Sequence, residues 1–145
     1  MKKLILFSFF ILVAAGLRAE ITFSDLSFDA ALEQAKKTKK VVMVDYYTDW
    51  CGWCKVLDKK TYTDANVGKY ANSDFVSLKI NAEKGEGIAL AKKSKVQGFP
   101  TIVFYNENGE EVHRVVGYQE ADKFLQSMKI AAANSETSLK RKATN

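Results

Sequence analysis

Cys51 and Cys54 are the only cysteines in this chain of 145 residues, and just Gly52 and Trp53 separate them. A dithiol at that spacing can close to a disulfide and reopen by exchange. Exchange needs a thiolate, because a neutral thiol hardly attacks a disulfide sulfur, and it needs a second thiol close enough to break the mixed disulfide that results. A helix starting at the first cysteine supplies both. Its dipole and unpaired backbone N–H groups stabilise the Cys51 thiolate, and Cys54 follows one turn later as the resolving group. Two other chemistries fit the same pair. Two cysteines are half a zinc or copper(I) site, but a structural zinc site wants four ligands and the sole histidine, His113, stands alone in sequence. An inert structural bridge is the other; it would close a very small loop and gain little from chain entropy.

The surrounding sequence predicts the elements that would hold this pair. Val41, Val42, Met43 and Val44 form a continuous apolar β-prone run, the pattern of a central strand covered on both faces. It leads through Asp45, Tyr46, Tyr47, Thr48, Asp49 and Trp50 into Cys51, and residues 55–60 continue with helix formers. The cysteines therefore belong at a strand-to-helix junction. Before them, Ser27 caps an amphipathic helix carrying Ala30, Ala31, Leu32 and Ala35, which ends in the lysine-rich run 36–40. After them, Thr63 and Asp64 cap a short helix reaching Tyr70, residues 75–80 read as a strand, and residues 88–94 as a helix. Residues 101–105 and 111–116 read as strands joined through Asn106, Glu107, Asn108 and Gly109, where Asn-Gly supplies the positive φ angles of a tight hairpin. Residues 119–133 form the closing helix, with Phe124, Leu125, Met128 and Ile130 reaching the core, and residues 134–145 read as a disordered basic tail. The order predicts an α/β domain with a central mixed sheet and helices on both faces.

Composition narrows the function classes. The formal net charge of +5 falls to +2 once Lys2, Lys3 and Arg18 are set aside, and residues 20–133 carry 16 basic and 16 acidic side chains. That balance leaves no electrostatic footprint for nucleic acid. Lys2 and Lys3 precede an apolar run over residues 4–17 broken only by Ser8, which is the grammar of a signal peptide. Cleavage is expected after Ala19, with retention as an N-terminal anchor as the alternative; the run is short of the roughly 20 residues a spanning helix needs. The organisation is thus a signal peptide at 1–19, one domain at 20–133 and the tail at 134–145. Export implies an oxidising compartment, most simply the periplasm.

The stretch from Val41 through Asp49-Trp50-Cys51-Gly52-Trp53-Cys54 to Lys55, with Gly98-Phe99-Pro100-Thr101 further on, resembles the thioredoxin superfamily. It is most similar to exported thioredoxin-like proteins and to the C-terminal domain of the transmembrane disulfide reductase. The resemblance implies a thioredoxin fold, a redox-active Cys51–Cys54 disulfide as the only prosthetic element, and protein disulfides as substrates. Electrons would come from a membrane-embedded thiol donor, and the protein would act as a monomer. It further implies a cis bond at Phe99–Pro100, where an X–Pro bond is trans by default, with Trp50, Gly52, Trp53, Phe99, Pro100 and Thr101 meeting the substrate. Asp45, six residues before Cys51, matches the family's buried acid and would take the proton of Cys54. The family's companion lysine falls on Ser77, with Lys79 two residues later. Trp50 is expected against the base of the active-site loop, and Trp53 either faces a partner or packs on the first helix.

Three other signals carry less. Gly85-Glu86-Gly87 lacks the Gly-Lys-Ser/Thr of a phosphate loop, His113 reads as a surface residue, and the runs 36–40 and 92–95 read as solvated helix ends. The leading expectation is an exported thiol–disulfide oxidoreductase working in the reducing or isomerising direction. A disulfide-donating oxidase is the alternative within enzymes, and a binding module or metallochaperone the alternative outside them.

Overall fold

The structure, a computed structural model, describes residues 19–144, so the expected signal segment lies almost wholly outside the described residues. Ser27 opens α1 (Phe28–Thr38) by accepting from the Ala30 N–H, and Lys39, at φ 57°, ends it in the left-handed region. β1 (Val41–Tyr47) follows, then α2 (Gly52–Lys60) and α3 (Ala65–Asp74). The Asp64 carboxylate caps α3 by accepting from Asn66 and Val67 N–H groups. β2 (Phe75–Asn81), α4 (Gly87–Lys93), β3 (Thr101–Tyr105), β4 (Glu111–Val116) and α5 (Ala121–Ala143) complete the order.

The sheet runs β2-β1-β3-β4, with β1 parallel to β2 and antiparallel to β3, and β3 antiparallel to β4. β1 is central because both of its faces are apolar. Val41 and Met43 join Leu57, Val67, Phe104, Phe124 and Met128 on one side; Val42, Val44 and Tyr46 join Phe28, Ala31, Ala35, Val76 and Val103 on the other. α2, α3 and α5 thus cover one face, while α1 and α4 cover the second. Leu57 is fully buried, and burial of a leucine contributes about 1.5–3 kcal/mol. That contact fixes α2, and with it both cysteines, to the sheet.

Two local expectations need correction. The β3–β4 connection is longer than a two-residue hairpin turn: only Gly109 takes a positive φ (77°), and Asn106 organises the loop by accepting from the Asn108 and Glu110 N–H groups at 3.0 Å with its side-chain oxygen. The final helix also continues to Ala143, across most of the stretch read as a disordered tail. Ser135 continues its buried stripe, Asn134 donates to the Val112 carbonyl at 2.9 Å, and Lys142 pairs with Glu110 at 2.5 Å. These are polar contacts to the β3–β4 hairpin, invisible to a search for apolar periodicity.

Candidate active site

β1 delivers its last residues to the edge of the core, and the chain turns through Thr48, Asp49 and Trp50 before α2 begins. Cys51 is the N-cap of α2, with extended backbone geometry (φ −71°, ψ 104°), and its Sγ accepts from the Cys54 N–H at 3.1 Å. The sulfur therefore occupies the place of the usual capping oxygen, where the positive end of the helix favours negative charge. Cys51 and Cys54 are joined as a disulfide. Both are nearly covered, Cys51 at 4% exposure and Cys54 at 2%. With so little difference in access, the helix-capping position is what distinguishes Cys51 from Cys54.

Two indoles flank the bridge and project outward. Trp50 is 67% exposed, which corrects the expectation that it packs against the base of the loop. Its Nε1–H donates to both carboxylate oxygens of Glu83, at 3.1 and 3.0 Å, and its ring meets Phe99 edge-on at 5.9 Å. The indole is held by that hydrogen bond and that aromatic edge, neither of which requires burial. Trp53 is 61% exposed and stacks on Tyr118 at 5.5 Å; the first helix is not its support.

The Phe99–Pro100 peptide, whose phenyl ring meets Trp50, is cis. The Pro100 carbonyl accepts from Gly117 N–H at 2.8 Å, and Thr101 donates through its hydroxyl to the Gly98 carbonyl at 2.7 Å, which fixes the loop on both sides of the proline. Gly52 leaves open space where a Cβ would stand.

Asp45, on β1, is completely buried. Its Oδ2 accepts from Lys79 Nζ at 3.0 Å, and Lys79 also pairs with Asp58 on α2. The parallel register sets Asp45 opposite Lys79 and Met43 opposite Ser77. Lys79, rather than Ser77, is thus the companion lysine. Three rings surround its ammonium group, those of Phe23, Tyr47 and Tyr62, at 5.4, 5.0 and 5.4 Å. Burial pushes the Asp45 carboxyl above its ordinary value, and Lys79 only partly pulls it back. A carboxyl so placed is a better proton acceptor than a solvated one.

The structure thus brings Cys51, Cys54, Trp50 and Trp53 together at the start of α2 and buries Asp45 on β1 against Lys79, which also pairs with Asp58 of the same helix. Sequence reading missed Asp58, Tyr62, Glu83 and Tyr118. Asp58 was within reach, since it lies four residues past Cys54 on one helix face. His113 stands away from the site, half-buried beside the Phe104 ring at 5.9 Å, and burial lowers its pKa. Among the described residues, no cluster of three or more His, Cys, Asp or Glu side chains is placed to hold a metal ion.

A dithiol that caps a helix at the end of a central strand, in a sheet of this order, puts the protein in the class of thioredoxin-fold thiol–disulfide oxidoreductases. The comparisons agree. Residues 28–132 match the model of the thioredoxin-like domain, and the chain belongs to that family. It is 34% identical over 118 residues to the thiol:disulfide interchange protein DsbD of Tatumella citrea, a match that covers 78% of this chain and 20% of the relative. The chain therefore spans about a fifth of the length of that curated relative. Among solved structures it resembles a proposed disulphide-isomerase from Bacteroides thetaiotaomicron, with 44% identity, a TM-score of 0.69, and coverage of 77% of this chain and 93% of the other. The oxidised C-terminal domain of DsbD from Neisseria meningitidis aligns with 26% identity and a TM-score of 0.60, covering 75% and 97% of the two chains.

Proposed function

We propose that the protein is an exported reductant or isomerising partner for protein disulfides. The observation that carries this reading is the placement of Cys51 as the cap of α2 between two exposed indoles. The reduced Cys51 thiolate attacks a substrate disulfide sulfur, forming a mixed disulfide and releasing one substrate thiolate. Cys54 gives its proton to Asp45, attacks the Cys51 sulfur, and releases the second substrate thiolate as the Cys51–Cys54 bridge closes. Two electrons pass from the dithiol to the substrate, and the bridge is the only redox group used.

Trp50 and Trp53 offer apolar surface to an unfolded or extended segment, and Gly52 leaves room between them for its backbone. Phe99, Pro100 and Thr101 form the opposing wall, where main-chain groups pair with an extended peptide. The segment at residues 1–19 directs export to the periplasm and is removed after Ala19; no helix among the described residues is long and apolar enough to cross a membrane. In such a compartment the spent disulfide is recycled by a membrane-embedded thiol donor, and the protein works as a monomer.

The direction is tested by mixing the reduced protein with a disulfide-linked model polypeptide and counting thiols on each partner. Stoichiometric appearance of substrate thiols with closure of Cys51–Cys54 is expected. Transfer of the bridge in the opposite direction, from oxidised protein to a reduced polypeptide at equal concentrations, would make it a disulfide donor instead.

A further inference from the structure

Tyr62 lies just beyond the end of α2 and is held from every side. Its ring meets Phe23 edge-on at 5.3 Å and Phe124 at 5.6 Å, its N–H donates to the Leu57 carbonyl at 3.0 Å, and its carbonyl accepts from Ile21 N–H at 2.9 Å. The residue is only 3% exposed. Its phenolic oxygen is buried with no hydrogen-bond partner, and so is Oδ1 of Asp45, whose other oxygen is taken by Lys79. A phenylalanine would satisfy the same packing without burying a hydroxyl, so the oxygen calls for a role of its own.

The two unpartnered oxygens belong to neighbouring groups. No hydrogen bond of standard geometry joins them in this oxidised structure, but both border the Lys79 ammonium group, whose Nζ lies 3.0 Å from Asp45 Oδ2 and 5.4 Å from the centre of the Tyr62 ring, and Asp45 raises the proton affinity of Tyr62 while Tyr62 lowers that of Asp45. The charged and titratable groups facing Asp45 are Lys79 from β2, Asp58 from α2, and Tyr62 from the segment after α2. Lys79 serves Oδ2, and Asp58 is itself an acceptor. Tyr62 is the neighbour that can serve Oδ1 in either charge state, because a hydroxyl both donates and accepts. Tyr62, Asp58 and Lys79 also line one cavity of about 230 Å³ with Glu20, Ile21 and Phe23, which offers a proton a way out to solvent.

We propose that Tyr62 is a positioning residue for Asp45, donating a hydrogen bond to the Oδ1 carboxylate before the resolving step and accepting one from the carboxylic acid after it. The proposal rests on the reading that Asp45 takes the proton of Cys54. In that step the Cys54 S–H bond breaks and an O–H bond forms on Asp45. The hydroxyl of Tyr62 rotates to accept from the new acid, and the proton later leaves through the cavity. No electrons pass through Tyr62.

The test takes as its parent the Cys51→Ser, Cys54→Ser chain, which holds no disulfide and no titrating thiol. The Asp45 carboxyl carbon is followed by NMR across pH in the parent, in Tyr62→Phe, and in Tyr70→Phe as a tyrosine-to-phenylalanine control on α3. Loss of the donor is expected to raise the Asp45 midpoint in Tyr62→Phe by on the order of tenfold in proton affinity, the scale of one hydrogen bond to a charged group. Tyr70→Phe should match the parent. An unmoved midpoint in Tyr62→Phe overturns the proposal. A second reading needs no Tyr62 variant: the Tyr62 Cζ shift in the parent should follow pH with the midpoint of Asp45 and become flat in Asp45→Asn. A Cζ shift that ignores Asp45 also overturns it. Whether Asp45 serves Cys54 is read separately, from the pH profile of mixed-disulfide resolution, so the two ideas fail independently.

Discussion

Cys51→Ser is expected to reduce disulfide exchange to the uncatalysed rate, whereas Cys54→Ser keeps the first attack and stops before release. The asymmetry follows from the helix cap. Cys51 Sγ sits at the positive end of α2 in contact with the Cys54 N–H, so charge on that sulfur is stabilised, and a serine oxygen in its place caps the helix but attacks no disulfide. In Cys54→Ser the thiolate of Cys51 still forms, yet nothing within the site can attack the mixed disulfide. Covalent adducts through Cys51 should therefore become the dominant species with a disulfide-bonded polypeptide, visible by mass spectrometry without reductant and absent from the double variant. A protein that only binds partners would retain association in both single variants and show no adduct. Exposed Trp50 and Trp53 should still bring the substrate to Cys54→Ser at parental concentrations.

Asp45→Asn should have opposite effects on rate and on stability. A positioned general base typically contributes roughly 10²–10⁴-fold, so resolution of the mixed disulfide should slow by at least about 10²-fold near neutral pH while the initial attack by Cys51 is little changed. Stability should rise instead. Burial holds the Asp45 carboxyl above its ordinary value of 3.8, so between that value and the folded-state value the folded chain keeps a proton that the unfolded chain has released. The stability present below the ordinary value is lost as pH rises to the folded-state value. Asparagine suffers no such loss, and Lys79 keeps Asp58 as its partner. Urea midpoints should accordingly favour the variant near neutrality and converge with the parent below the ordinary carboxyl value. A variant that resolves at the parental rate would remove Asp45 from the mechanism.

Much of this arrangement is legible in the residues themselves. The run Val41 to Val44 marks the central strand because only a strand buried on both faces can be apolar without alternation, and the two cysteines follow at its end. The thioredoxin-like motif around Pro100 carried the expectation of a cis peptide, which no local signal could have supplied. Lys79 was hidden by register. Only the observed pairing of Val41 with Phe75 puts it opposite Asp45, and a lysine within a strand otherwise reads as solvated. Tyr62 was hidden because the rings it packs against, Phe23 and Phe124, are distant in sequence, and Glu83 because a long-range hydrogen bond to a single side chain leaves no periodic trace. The end of α5 was hidden for the same reason, since hydrogen bonds from Asn134 and Ser138 to the β3–β4 hairpin replace the apolar stripe that pattern reading seeks.

The most direct measurement is the equilibrium reduction potential of Cys51–Cys54, followed by tryptophan fluorescence in graded dithiol buffers. Trp50 and Trp53 lie beside the bridge and report its state. Neither Gly52 nor Trp53 adds a cation between the cysteines, so nothing there gives the thiolate the extreme stabilisation of a strong oxidant. A reversible two-electron transition near the thioredoxin value of about −270 mV is expected. A midpoint near about −120 mV would contradict the reducing direction, and the absence of any reversible transition would contradict thiol–disulfide exchange itself.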